Sequence, residues 1–161
     1  MSVYANLYVI PGKSYRGAFG GDELSELHRV MAREGMKMLL LNGARMKTVD
    51  ALFSEFSRAF EFPDYFGNNW NALDECICDL EWLPSQGYCV VIEDSAELLL
   101  DDSPTEVETL LRVLKRASLE WGGAVEQGEV WDRPAKPFCV IFNLPSMSQT
   151  GLSDLPLISA C

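Results

Sequence analysis

Apolar residues along this chain follow two rhythms that alternate. Four short runs read as strands: 3–10 (VYANLYVI), 37–42 (KMLLLN), 88–92 (YCVVI) and 138–142 (FCVIF). The last three are apolar almost throughout and bounded by turn residues, which suits strands covered on both faces. Between them apolar residues recur every three or four positions. Leu24, Leu27 and Met31 follow Asp22; Val49, Leu52, Phe53, Phe56 and Phe60 follow Thr48. Leu73, Cys76, Ile77 and Leu80 mark a third stripe, and Val107, Leu110, Leu111, Leu114, Ala117 and Trp121 a fourth. These spacings predict amphipathic helices, with Asp22 and Thr48 as N-caps. Ser103-Pro104-Thr105-Glu106 predicts a helix start with Ser as cap, Pro first, and Glu106 closing a capping box. Residues 95–100 predict a short helix, and 12–21 a Gly-rich loop.

Apolar strands separated by helices predict an α/β fold with a parallel sheet and right-handed crossovers. Three strands form its minimum, and the run 3–10 is the candidate fourth. At 161 residues the chain has the length of one domain. Continuous apolar runs are far shorter than the roughly 20 residues of a membrane span. No basic cluster precedes the first apolar run, so a cytoplasmic location is expected. Cys76, Cys78, Cys89, Cys139 and Cys161 have no metal spacing and read as reduced thiols.

Charge changes this picture more than composition does. The net charge is −11, and between Arg58 and Arg112 lie 53 residues with thirteen acids and no Lys or Arg. The remaining 108 residues carry a net +2. Nucleic acid and anionic membranes both need a basic surface, so neither is expected as a direct partner. The acidic block is either a solubility device or a surface that attracts a cation or a basic protein.

Catalytic chemistry finds little support. His28, the one histidine, sits mid-helix in LSELHRV and reads as a surface or boundary residue. Cys76 and Cys78 lack the further ligands of a zinc site, and the GAFGG segment lacks the context of a phosphate-binding loop. Asp101-Asp102 and Glu93-Asp94 read as solvated loop acids. No cofactor, metal or enzymatic activity is expected. The helix over 69–80 is more informative. Leu73, Cys76, Ile77 and Leu80 share one face; Asn71, Asp74, Glu75, Cys78 and Asp79 share the other, with Asn68 above them. Like charges three or four apart oppose a helix, so an acidic face without counter-charge points to a basic partner.

The segment Phe62-Pro63-Asp64-Tyr65-Phe66-Gly67-Asn68-Asn69-Trp70-Asn71-Ala72-Leu73-Asp74-Glu75-Cys76 resembles the signature of the barstar family of ribonuclease inhibitors. The runs KMLLLNG, YCVVIED and FCVIFN resemble the family's strands, from about 36 to 144, with an insertion near 122–137. The resemblance implies a barstar-like domain over 36–145; residues 1–35 lie outside it, as an N-terminal extension that adds either a strand and a helix or a partner-specific surface, and 146–161, without periodicity, reads as an irregular tail. The resemblance implies an immunity protein that blocks the cationic active site of a ribonuclease toxin in a 1:1 complex. The alternative is an interaction module with a regulatory, non-nuclease partner. By the same resemblance Tyr65 corresponds to the family's loop aromatic, Asn71 to an inhibitory Asp, and Glu75 to the Asp that imitates a substrate phosphate. The expected partner surface is Tyr65, Gly67, Asn68, Asn69, Asn71, Asp74, Glu75 and Asp79, with Gly67 making the turn that holds Tyr65 beside the first helical turn. Asp74 stands where the type member has Trp, and Arg116 where it has an inhibitory acid. The frame is kept while contact residues differ, which implies a ribonuclease other than barnase as partner.

Overall fold

A computed structural model provides the structure; it describes residues 14–17, 19–144 and 157–158, with side chains over 19–144. The elements run β1 (Ser14–Gly17), α1 (Gly21–Arg33), β2 (Lys37–Asn42), α2 (Val49–Phe60), α3 (Trp70–Asp79), β3 (Tyr88–Glu93), α4 (Pro104–Trp121), β4 (Phe138–Asn143) and β5 (Leu157–Ile158). The sheet is parallel throughout, in the order β2-β3-β4-β1-β5. The three expected strands are adjacent and in step: Lys37 lies beside Tyr88, and Tyr88 beside Phe138.

The run 3–10 lies outside the described residues. A different segment fills the next place in the sheet. Ser14–Gly17, expected as loop, pairs with Val140–Asn143 on one side and with Leu157–Ile158 on the other. Its polar composition carries no strand signal; the neighbouring strands supply the ladder that fixes it. Of the tail over 146–161, expected to be irregular, Leu157–Ile158 thus adds a two-residue strand.

Helices cover both faces of the sheet. Leu39, Leu41, Tyr88, Val90, Ile92, Phe138, Val140 and Phe142 meet α2, α3 and α4 on one face. Cys89, Val91, Cys139 and Ile141 meet Leu27, Val30 and Met31 of α1 on the other. This is why β3 and β4 are apolar at successive positions rather than at alternate ones. Cys76, Cys89 and Cys139 are buried free thiols. Cys89 and Cys139 are cross-strand neighbours, and their mutual hydrogen bond, with burial, pushes the Cys89 thiol well above its ordinary pKa.

Helix starts follow local chemistry at some sites and tertiary contacts at others. Thr48 accepts from the Ala51 N–H at 3.2 Å, as its cap position predicts. α1 starts earlier than predicted: Gly20 is the N-cap, and its N–H donates to the Glu23 carboxylate. Ser103 is the N-cap of α4 with Pro104 first, but the capping box does not form. Glu106 instead accepts from Trp70 Nε1 at 3.0 Å. The predicted short helix over 95–100 contracts to a 3-10 turn at Ser95–Glu97.

That Trp70–Glu106 bond opens a polar seam between α3 and α4. Next along it, the Arg116 guanidinium pairs with Asp74 Oδ2. At its end, Trp121 Nε1 donates to the Ile77 carbonyl at 2.8 Å. The Asp74 side chain is only 15% exposed, against 65% for Arg116, and its Oδ1 has no hydrogen-bond partner.

β2 is an edge strand, and α2 shields part of its free backbone. The Asn42 N–H donates to Glu55 Oε1 at 3.3 Å, and Arg58 Nη2 donates to the Leu40 carbonyl at 3.3 Å. Arg58 Nε also donates to Glu55 Oε2 at 3.1 Å. Charged groups on an edge discourage pairing with another chain.

Two outcomes follow from these charge pairs. Hydrogen bonding from Arg58 holds the Glu55 carboxyl below its ordinary pKa of 4.5. An acid depressed in the folded state stabilises above its unfolded pKa, and the benefit is lost as pH falls through the folded value. The stability gap between the parent and Glu55→Gln should therefore shrink below about pH 4.5 in urea titrations; a gap unchanged down to about pH 3 contradicts this. In the seam, Arg116→Ala leaves the Asp74 carboxylate unpaired and should destabilise by about 1–2 kcal/mol. Adding Asp74→Ala should recover part of that loss. A thermal-melt double-mutant cycle with strictly additive effects would show that the two are not coupled.

Candidate functional site

The segment between α2 and α3 is held by aromatic packing. Glu61 ends α2 in the left-handed region at φ 52°, and the chain turns into Phe62. The Phe62 and Phe66 rings are buried with centroids 4.7 Å apart. Phe62 also meets Trp82 edge-on at 6.1 Å, and Phe66 meets Phe53 at 6.3 Å. The Phe66 N–H closes a turn onto the Pro63 carbonyl at 2.9 Å. With both phenylalanines facing inward, Tyr65 is held outward and is 70% exposed.

α3 starts where local chemistry sets it. Asn69 is the N-cap, accepting from the Ala72 N–H at 2.9 Å and donating through Nδ2 to the Gly67 carbonyl at 3.1 Å. Asn68 takes the left-handed conformation at φ 50°, which Asn tolerates better than most residues. The turn therefore rests on Asn68, not on a glycine-only conformation at Gly67 as the sequence suggested. A Cβ at Gly67 would lie 3.0 Å from Asn69 Nδ2 and crowd the cap.

The eight expected partner-surface residues thus separate. Tyr65, Asn71, Glu75 and Asp79 are exposed. Gly67, Asn68 and Asn69 are also exposed, but their visible bonds build the loop and the cap. Asp74 is drawn into the α3–α4 seam by Arg116, so the acidic face does have a counter-charge. The sequence wheel could not reveal it, because Arg116 comes from another helix, outside the base-free block.

Tyr65 lies in the field of the acidic block. Its hydroxyl is pushed above the ordinary tyrosine pKa by desolvation, then by Cys76, Asp79 and Glu81. These residues belong to the second half of α3 and the position just past it. Glu81, just past the helix, joins the cluster and was missing from the expected set. Its signal was its place in the base-free block, directly after Leu80 ends the helix with φ 50°. Burial, then Asp79 and Glu75, pushes the Cys76 thiol up, and Cys78 rises to about 11, mainly through burial. Neither thiol is set up as a nucleophile.

His28 is exposed on α1, across the sheet from this cluster. Among the described residues, no group of three His, Cys, Asp or Glu side chains is placed to hold a metal ion. No described helix is long and apolar enough to cross a membrane. The arrangement offers recognition: an outward phenol, carboxylates on and just beyond one exposed helix face, and an amide at Asn71.

Comparison with known proteins bears on fold and family. A solved structure, the Aeropyrum pernix ORC2 protein in ADPNP-ADP complexes, is similar over 81% of this chain and 34% of its own, with a TM-score of 0.50 and 14% identity. This chain therefore spans about a third of that protein, and the likeness concerns the α/β fold alone. No curated protein matches the chain. A family model described as Barstar (barnase inhibitor) matches residues 36–142, from the residue before β2 through most of β4. This stretch includes the aromatic-anchored loop and α3, and on that match the chain belongs to the Barstar family.

Proposed function

We propose that this protein inhibits a ribonuclease toxin by plugging its cationic active site, acting as an immunity protein in the cytoplasm. The barstar-like unit over 36–145 carries the inhibitory surface. The observation that supports this reading is the grouping of exposed Tyr65 with Asp79 and Glu81 beside Glu75, in a block without Lys or Arg. Arg116, the cation across the α3–α4 seam, is engaged by Asp74. The remaining carboxylates face solvent, where their field attracts a basic cleft. The same pair favours a ribonuclease other than barnase. A contact pattern altered at both Asp74 and Arg116 matches a partner with a correspondingly altered cleft.

Inhibition needs no bond-making. A carboxylate held where a substrate phosphate binds competes through charge-assisted hydrogen bonds to the cationic residues of the cleft. Tyr65, fixed by its buried neighbours, adds apolar contact at little cost in conformational entropy.

The test begins with the immobilised parent chain and a lysate of the native source, with ribonuclease assays on what is retained. The retained protein should be basic and nucleolytic, and inhibited at one equivalent. Calorimetry on it should show Glu75→Ala weakening binding by about 2–5 kcal/mol, chiefly through faster dissociation. Asp79→Ala should cost about 1 kcal/mol or less and act on association, which should slow with added salt. If Glu75→Ala and Tyr65→Ala both bind like the parent, the surface lies elsewhere. A retained partner without ribonuclease activity favours a regulatory interaction module.

A further inference from the structure

Between α4 and β4 the chain makes a detour over residues 122–137, and its base is firmly tied. Arg133 donates to the carbonyls of Glu120 at 2.9 Å, Gly123 at 3.1 Å and Trp121 at 3.3 Å, and its guanidinium lies 4.3 Å from the centre of the Trp121 ring. Val125 and Arg133 exchange backbone hydrogen bonds of 2.8 and 3.0 Å. The Asp132 carboxylate accepts from the N–H groups of Gln127 at 2.9 Å and Gly128 at 2.7 Å, and these bonds lower its pKa.

Those ties turn the two bases of the detour inward. Arg133 caps α4, and Lys136 Nζ donates to the Ser85 carbonyl at 2.7 Å. The outward side keeps Glu126, Glu129 and two large apolar side chains. Val130 is 97% exposed and Trp131 61%. A tryptophan displayed on a fixed loop with acidic neighbours has the character of an interface anchor rather than of a solubilising loop.

The location ties the loop to the surface described above. Trp121, on which Arg133 stacks, bonds to the Ile77 carbonyl in the last turn of α3. Cys78, in that same turn, lies in the fields of Glu120 and Arg133. Asp79 follows in the same turn, and it is among the acids that raise the pKa of the Tyr65 hydroxyl.

We infer that Val130 and Trp131 form a second, apolar arm of the partner surface. They dock beside the basic cleft of the same ribonuclease, with Glu126 and Glu129 facing its basic rim. This rests on the inhibitory reading above. Complementary charge selects the occupant: the outward side of the loop is acidic, like the exposed face of α3, so one basic protein satisfies both.

The experiment compares the parent, Trp131→Ala, Val130→Ser and Glu75→Ala against the ribonuclease retained by the immobilised parent chain. Melting curves verify that each variant is folded, and sedimentation equilibrium reports the state of the free chain. Trp131→Ala should weaken binding about ten- to a hundred-fold, and Val130→Ser by a smaller factor, with melting unchanged. Weakening by Glu75→Ala but not by Trp131→Ala or Val130→Ser overturns the second arm and leaves the inhibitory reading intact. Weakening by the loop variants alone overturns the placement on α3 and, with it, a shared surface. If the parent retains no ribonuclease, both readings fall. A free dimer that Trp131→Ala converts to monomer makes a second copy the occupant and overturns the proposal.

Discussion

β3 and β4 are apolar at nearly every position, and water must be kept from both of their faces. Much of the architecture follows from that constraint. α2, α3 and α4 cover one face and α1 the other, with Phe138, Val140 and Phe142 turned to the first and Cys139 and Ile141 to the second. A parallel sheet requires a crossover between neighbouring strands, so the helices that connect the strands also cover them. The segment before residue 36 belongs to this requirement: α1 seals the face that the other helices leave bare.

Covering the sheet also fixes what the surface can display. The loop after α2 is drawn inward by Phe62 and Phe66, and Tyr65 is left outside between them. α3 must turn Leu73, Cys76 and Ile77 to the core, so Asn71, Glu75 and Asp79 face water. The displayed residues are held by buried neighbours rather than by bonds of their own. Such a surface is largely formed before a partner arrives, which lowers the entropy lost on binding.

Charge is distributed by the contacts between helices. Of the acids on α3, Asp74 is turned towards α4 and neutralised by Arg116, while Glu75 and Asp79 stay outside. Glu55 is buried beside the edge strand with Arg58 as its partner, and Asp132 organises the loop after α4. The acids of the chain therefore form two populations: carboxylates that hold the structure, and carboxylates that face solvent.

The sequence by itself determined what depends on near neighbours. Continuous apolar runs marked the three central strands, three-to-four spacing marked the four helices, and Thr48 and Ser103 marked two helix starts. The run from Phe62 to Cys76 carried the family resemblance because its aromatic anchors, capping asparagine and amphipathic helix all lie within fifteen residues. Only the tertiary structure decided the features that join distant segments. Ser14–Gly17 became a strand because β4 and β5 lie on either side of it. Glu106 left its capping box for Trp70, thirty-six positions away, and Asp74 found its cation on another helix. Helical spacing shows which residues share a face, but not what lies opposite that face; packing of the next element settles it.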